Sequence, residues 1–123
     1  MRKDIEKRLI NLALKINRLC KHLDDSYLSR HIAGQIIRSS TSAALNYGEA
    51  QGAESRNDFI HKSSVVLKEL RETKVSLLLI EGSIEGDKIN KIDFCLDECD
   101  QLVAIFHKTV MTSKRNREGK HFP

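Results

Sequence analysis

The feature that most narrows what this chain can fold into is a spacing. Apolar residues recur at intervals of three and four along four long stretches. The first stripe is Ile5, Leu9, Leu12, Ile16, Leu19 and Leu23. The second is Leu28, Ile32, Ile36, Ser39, Ala43, Tyr47 and Ala50, and its members shrink after Ile37. The third is Phe59, Ser63, Val66, Leu70, Thr73, Leu77 and Ile80, and the fourth is Ile89, Ile92, Leu96, Cys99, Val103, Phe106 and Val110. A helix turns about 100° per residue, so this interval keeps each stripe on one side of a helix. The only proline is Pro123 and glycines number 6, too few for the turns of a sandwich or barrel.

The breaks between stripes are short. His22-Leu23-Asp24-Asp25-Ser26 ends the first, and Asp25 or Ser26 can cap the helix that follows. Gln51-Gly52-Ala53-Glu54 ends the second, with Gly52 expected in a left-handed cap. Ser55 with Asp58 three residues on restarts a helix. Gly82-Ser83-Ile84-Glu85-Gly86-Asp87 is the last turn. The pattern predicts helices over about residues 4–23, 27–50, 56–81 and 88–112. Short links make neighbours antiparallel, so the fold class is all-α, an up-down-up-down four-helix bundle in one domain over 1–112. Residues 113–123 are expected to be a basic, disordered tail. Ile10, Ala13 and Leu14 widen the first apolar face beyond one neighbour, and Gly34 suggests a close helix crossing.

Polar residues stand where a plain bundle would place Leu or Ala. Arg38, Ser42, Asn46 and Glu49 step by four, four and three, so they share a face of the second helix. A hairpin centred near Ala53 sets Arg38 opposite Lys68 and Glu69, Asn46 opposite Ile60, and Glu49 near Arg56 and Asn57. An ion pair of Arg38 with Glu69 or Glu72, and an Asn46 bond across the seam, are the expected network. It reads as structure or subunit contact, or alternatively as a binding or catalytic cluster.

Charge is uneven. Residues 1–24 hold seven Lys/Arg against three Asp/Glu, residues 25–112 ten against thirteen, and residues 113–123 four against one. Arg2, Lys3, Lys7, Arg8, Lys15, Arg18 and Lys21, with Lys114, Arg115 and Arg117, are therefore candidate phosphate contacts for RNA or DNA. A solvated helix face is the plainer reading. Cys20, Cys95 and Cys99 are odd in number and read as reduced thiols of a cytoplasmic protein. Cys95 and Cys99 share a helix face but lack further ligands, so no metal is expected. The five histidines show no metal spacing, and there is no Gly-rich phosphate loop and no recognisable triad. These absences predict no catalysis and no cofactor. The opening residues begin no signal peptide, and the apolar run 75–80 is far too short to span a bilayer.

Arg38, Ser42, Asn46, Glu49-Ala50-Gln51, Ser55, Asp58-Phe59-Ile60, Lys62 and Lys68-Glu69-Leu70-Arg71-Glu72-Thr73 carry a resemblance to the "four helix bundle protein" family. That family includes proteins encoded by intervening sequences in bacterial large-subunit ribosomal RNA genes. The opening Ile5-Glu6-Lys7 and the basic first helix are similar too, so the likeness covers about residues 4 to 110. It implies a ring-shaped homopentamer in the cytoplasm of a bacterium or archaeon, with no established enzymatic activity. A related member, the accessory protein of diversity-generating retroelements, forms a basic barrel that binds nucleic acid and a reverse transcriptase. This chain departs from that relative in being acidic through its middle and basic only at its ends. The expected function is a non-enzymatic, self-assembling scaffold; the alternative is a nucleic-acid-binding accessory protein.

Overall fold

The computed structural model describes residues 2–83 and 92–119. Four helices follow one another: α1 (Arg2–Cys20), α2 (Tyr27–Gln51), α3 (Arg56–Ser83) and α4 (Ile92–Gly119). Each packs on two neighbours in the cyclic order α1, α2, α3, α4. The backbones of the diagonal pairs stay apart. The α2–α3 hairpin has the most extensive contact, and α1 against α4 the least.

The inward faces follow the stripes with exceptions: Leu28 is exposed, Phe59 is half-buried while Ile60 beside it is buried, and the row on α4 is shifted. Leu9, Leu12, Ile16 and Leu19 of α1 meet Ile32, Ile36, Ala43 and Tyr47 of α2 and Val66, Leu70, Leu77 and Ile80 of α3 in one core. In α4 the buried row is Ile92, Cys95, Cys99, Leu102, Phe106 and Val110. Leu96 and Val103, expected on the seam, are only half-buried at its flank. Both rows satisfy a three-four rhythm, and in the packed bundle Cys95 and Leu102 take the fully buried places. Tyr47 reaches Phe106 across the diagonal, with ring centroids 5.3 Å apart and planes at 87°. An edge-to-face pair of this kind adds about 0.5–1.5 kcal/mol beyond area burial.

The helix ends obey local chemistry. Ser26 caps α2: its side chain accepts from the Ser29 N–H, while Asp24 accepts from the Ser26 N–H. Ser55 accepts from the Asp58 N–H at the start of α3. Gly52 ends α2 at φ −95° and ψ 14°, not in the left-handed region expected of it. Its N–H reaches Glu49 O, and Ala53 N–H reaches Ala50 O, in a tight turn open to any residue. The end of α1 tightens similarly, with Lys21, His22 and Leu23 bonding three residues back, so the regular helix stops at Cys20.

Two helices are longer than the sequence suggests. α3 continues through Gly82 to Ser83, whose hydroxyl donates to Ile80 O. The remainder of that turn and the expected start of α4 at Lys88 lie outside the described residues. α4 runs to Gly119, so residues 113–119 extend the helix where a disordered tail was expected. No proline or glycine interrupts it before Gly119, and Arg117 donates to Asn57 Oδ1 at 3.1 Å, tying it to the start of α3.

Candidate functional site

The polar seam lies on the α2–α3 hairpin. Arg38 Nη1 donates to Glu69 Oε2 at 2.8 Å, and its Nη2 pairs with Glu72. Glu69 is the inner partner: its side chain is 4% exposed against 51% for Arg38. The carboxylates hold the Arg38 guanidinium above its ordinary pKa, chiefly through the Glu69 hydrogen bond and then that of Glu72. Beneath them Ser39 and Thr73 exchange a buried hydroxyl–hydroxyl bond.

The rest of the expected network stays local. Asn46 Nδ2 donates to Ser42 O and Ser42 Oγ, at 2.9 and 3.0 Å, one turn back on its own helix. No bond of Asn46 crosses the seam among those of the described residues. A side-chain amide in a helix finds the carbonyl four residues earlier already in reach. Glu49 Oε2 lies 3.7 Å from Lys62 Nζ, and among the described residues it makes no ion pair with Arg56 and no hydrogen bond with Asn57. The pairs of Arg38 with Glu69 and Glu72, Ser39 with Thr73 and Glu49 with Lys62 centre the hairpin near residue 55, about two residues later than Ala53.

The basic residues divide into engaged and free. Arg8 forms a fork onto Glu98, with Nε to Oε2 at 3.0 Å and Nη2 to Oε1 at 2.6 Å, and it also donates to Gln101. The Glu98 hydrogen bond raises the Arg8 pKa. Lys15 Nζ sits 4.1 Å above the Phe94 ring. Arg117 bonds Asn57 and approaches Glu118. Lys3, Lys7, Arg18, Lys21, Lys114 and Arg115 are exposed and make no ion pair among the described residues. The reading of Arg2 as a phosphate contact lies outside the described side chains. Because α1 and α4 run antiparallel, the start of α1 and the basic end of α4 share one end of the bundle.

Sequence reasoning missed the Ser39–Thr73 pair, the Arg8–Glu98 fork and the Lys74–Asp100 pair at 2.6 Å. The signal for the last two was present only as opposite charges at facing positions, which becomes readable once the register is known. Cys95 and Cys99 are core thiols, and Cys99 Sγ donates to Leu70 O at 3.2 Å. Burial pushes the Cys99 thiol up to about 12 and the half-buried Cys20 thiol up to about 11. Among the described residues no group of three or more His, Cys, Asp or Glu side chains could hold a metal ion. None of their helices is long and apolar enough to cross a membrane.

The profile of the 23S rRNA-intervening sequence proteins matches residues 2–108. The chain belongs to this family. A crystal structure of a protein of unknown function from the S23 ribosomal protein family, from Bacteroides thetaiotaomicron, shares its fold. That protein is 28% identical, with a TM-score of 0.70, and the match covers 86% of this chain and 97% of the other. No curated protein matches the chain. The family assignment agrees with the resemblance carried by the Arg38 to Thr73 motif, and neither name attaches an enzymatic activity to the fold.

Proposed function

We propose that this family member is a non-enzymatic subunit that assembles with copies of itself into a closed ring, a homopentamer, and serves as a scaffold or interaction protein. One observation carries the reading. Among the described residues the bundle leaves large apolar side chains in water on every helix, with Ile10 and Leu14 on α1 and, on the diagonal helix α3, Val75, Leu78 and Leu79. Since α1 and α3 do not pack on each other, these residues belong to helices at different corners of the bundle. A ring subunit meets its two neighbours through two different surfaces, which is what such an arrangement supplies. The outer face of α2 adds Leu45, 70% exposed. Gly34 belongs to that face too: a Cβ there or at Gly48 meets nothing within 4 Å, so it marks no crossing inside the chain and leaves a smooth surface for a neighbour. Arg38, Ser42, Asn46, Glu49, Glu69 and Glu72 then fix register within the hairpin and, where exposed, orient the contact.

Native mass spectrometry and light scattering at micromolar concentration test this. A homopentamer is expected, and a monomer overturns the reading. Ile10→Glu with Leu14→Glu is expected to dissociate the assembly while circular dichroism is unchanged, because both side chains already stand half in water at 44% and 50% exposure.

A second reading, a nucleic-acid-binding accessory protein, is favoured by the exposure of Lys3, Lys7, Arg18, Lys21, Lys114 and Arg115, which make no ion pair among the described residues. A ring would multiply weak contacts of this kind. Binding to structured RNA should weaken steeply with salt, and each Lys→Gln or Arg→Gln change at these positions should reduce the log–log salt slope by roughly 0.7–0.9. No retention at low salt overturns it.

A further inference from the structure

The first turns of α1, the end of α2, the α2–α3 turn and the second half of α4 converge on a half-open cavity of about 640 Å³. That lies within the roughly 300–1,000 Å³ of small-molecule sites. The chain has two tyrosines, four phenylalanines and no tryptophan, yet Tyr47, Phe59 and Phe106 all line this one space. Tyr47 and Phe106 are buried and locked edge to face, so those walls are preformed. Ile5 and Ile105 continue the apolar lining.

The charges around it select the ligand. Among the described residues Arg8 is the one cation in the lining, and its guanidinium already donates to Glu98 and Gln101. A phosphate or carboxylate would find, among the described residues of the wall, no cation that is not already paired. The lining also holds Asp4, which makes no ion pair among the described residues, and the Gln51 amide. An aromatic ring would lie among the three aromatic side chains, and a cationic amino group on it would meet Asp4. Aromatic faces also attract cations directly.

We propose that this cavity is a binding site for a small aromatic amine, a flat ring system bearing a protonated amino group. The site is independent of the ring-assembly reading, since every residue invoked belongs to one chain.

Tryptamine and indoleacetate share a ring and differ in the sign of their charge, so they are the probes. Saturation-transfer NMR and calorimetry on the full chain are expected to show tryptamine binding at about 1 mM or tighter, and about tenfold tighter than indoleacetate. Asp4→Asn should erase that preference. Phe59→Ala should weaken tryptamine about fivefold or more, whereas Tyr27→Ala, at an exposed ring on the other end of α2, should not. Gln51→Trp, which fills the cavity from the last residue of α2, should abolish binding with helicity retained, and it serves if Phe59→Ala fails to fold. The proposal is overturned if tryptamine shows no binding below about 10 mM, if indoleacetate binds as well, or if Gln51→Trp binds tryptamine like the parent chain.

Discussion

Ser39 Oγ and Thr73 Oγ1 lie 2.7 Å apart in the middle of the α2–α3 seam, both out of water. Thr73 Oγ1 also donates to Glu69 O, one turn back, at 2.8 Å. Ser39 Oγ also lies 3.3 Å from Ile36 O, so each hydroxyl, with one hydrogen, has a carbonyl one turn back as well as the other hydroxyl within reach. The pair works as a pin: it sets which residue of α2 faces which residue of α3, and it places Arg38 over Glu69 and Glu72.

A double-mutant cycle should expose the pin. Ser39→Ala and Thr73→Val each remove one hydroxyl from a dry site, at a cost of about 1 kcal/mol. Once either is gone the other has less to lose, so the double mutant should be more stable than additivity predicts by roughly 0.5–1.5 kcal/mol. Urea unfolding of the four proteins checks this, and strict additivity contradicts the bond.

The Arg38–Glu69 pair should respond asymmetrically. Arg38→Met leaves the Glu69 carboxylate in the seam without its cation. Glu69→Leu leaves Arg38 with Glu72, in contact with water. A buried charge without a partner costs more than an absent pair. Arg38→Met should therefore lower the unfolding midpoint more than Glu69→Leu does, and adding Glu69→Leu to Arg38→Met should recover part of the loss. A greater loss for Glu69→Leu contradicts the assignment of Glu69 as the inner partner.

The four helices and the partners of Arg38 were legible because they rest on periodicity and on facing charges. What was not legible was rotation and local competition. The row through Leu96 and Val103 has the same rhythm as the row through Cys95 and Leu102, and only packing decides between them. Asn46 looked like a cross-seam donor, but Ser42 lies one turn back and was reached first. Gly52 suggested a left-handed cap, yet the bonds to Glu49 and Ala50 close the turn at negative φ. Gly34 suggested a crossing, and its open surroundings show that a glycine can report a neighbour outside the chain or none at all. The aromatic cavity was beyond reach, since Tyr47, Phe59 and Phe106 come from three helices.

The buried thiols predict a loss of stability in alkali. Cys99 has its pKa raised from 9.0 to about 12, and burial is the main cause. The folded chain keeps that proton while the unfolded chain releases it. Stability from this thiol is intact below pH 9 and falls as pH rises from there toward 12, by at most about 1.4 kcal/mol per pH unit. Cys99→Ala should flatten that slope. At neutral pH, thiol reagents should modify half-buried Cys20 slowly and leave Cys95 and Cys99 intact until the chain unfolds.

The Arg8–Glu98 fork guards the thinnest contact in the bundle. α1 touches α4 less than any other neighbouring pair, and the fork and the Lys15–Phe94 contact both fall on that junction. The Glu98 side chain is only 12% exposed, while Arg8 is 31% exposed and screened in part. Arg8→Ala should therefore cost only about 1 kcal/mol of global stability. Its local effect should be larger: α1 depends on this edge, so its amides should exchange with solvent faster than those of α2 and α3, by about tenfold relative to the parent chain. Hydrogen exchange resolved by residue distinguishes the cases. Uniform acceleration across all helices would mean that the fork supports the bundle as a whole, and unchanged exchange in α1 would mean that its apolar face alone holds it in place.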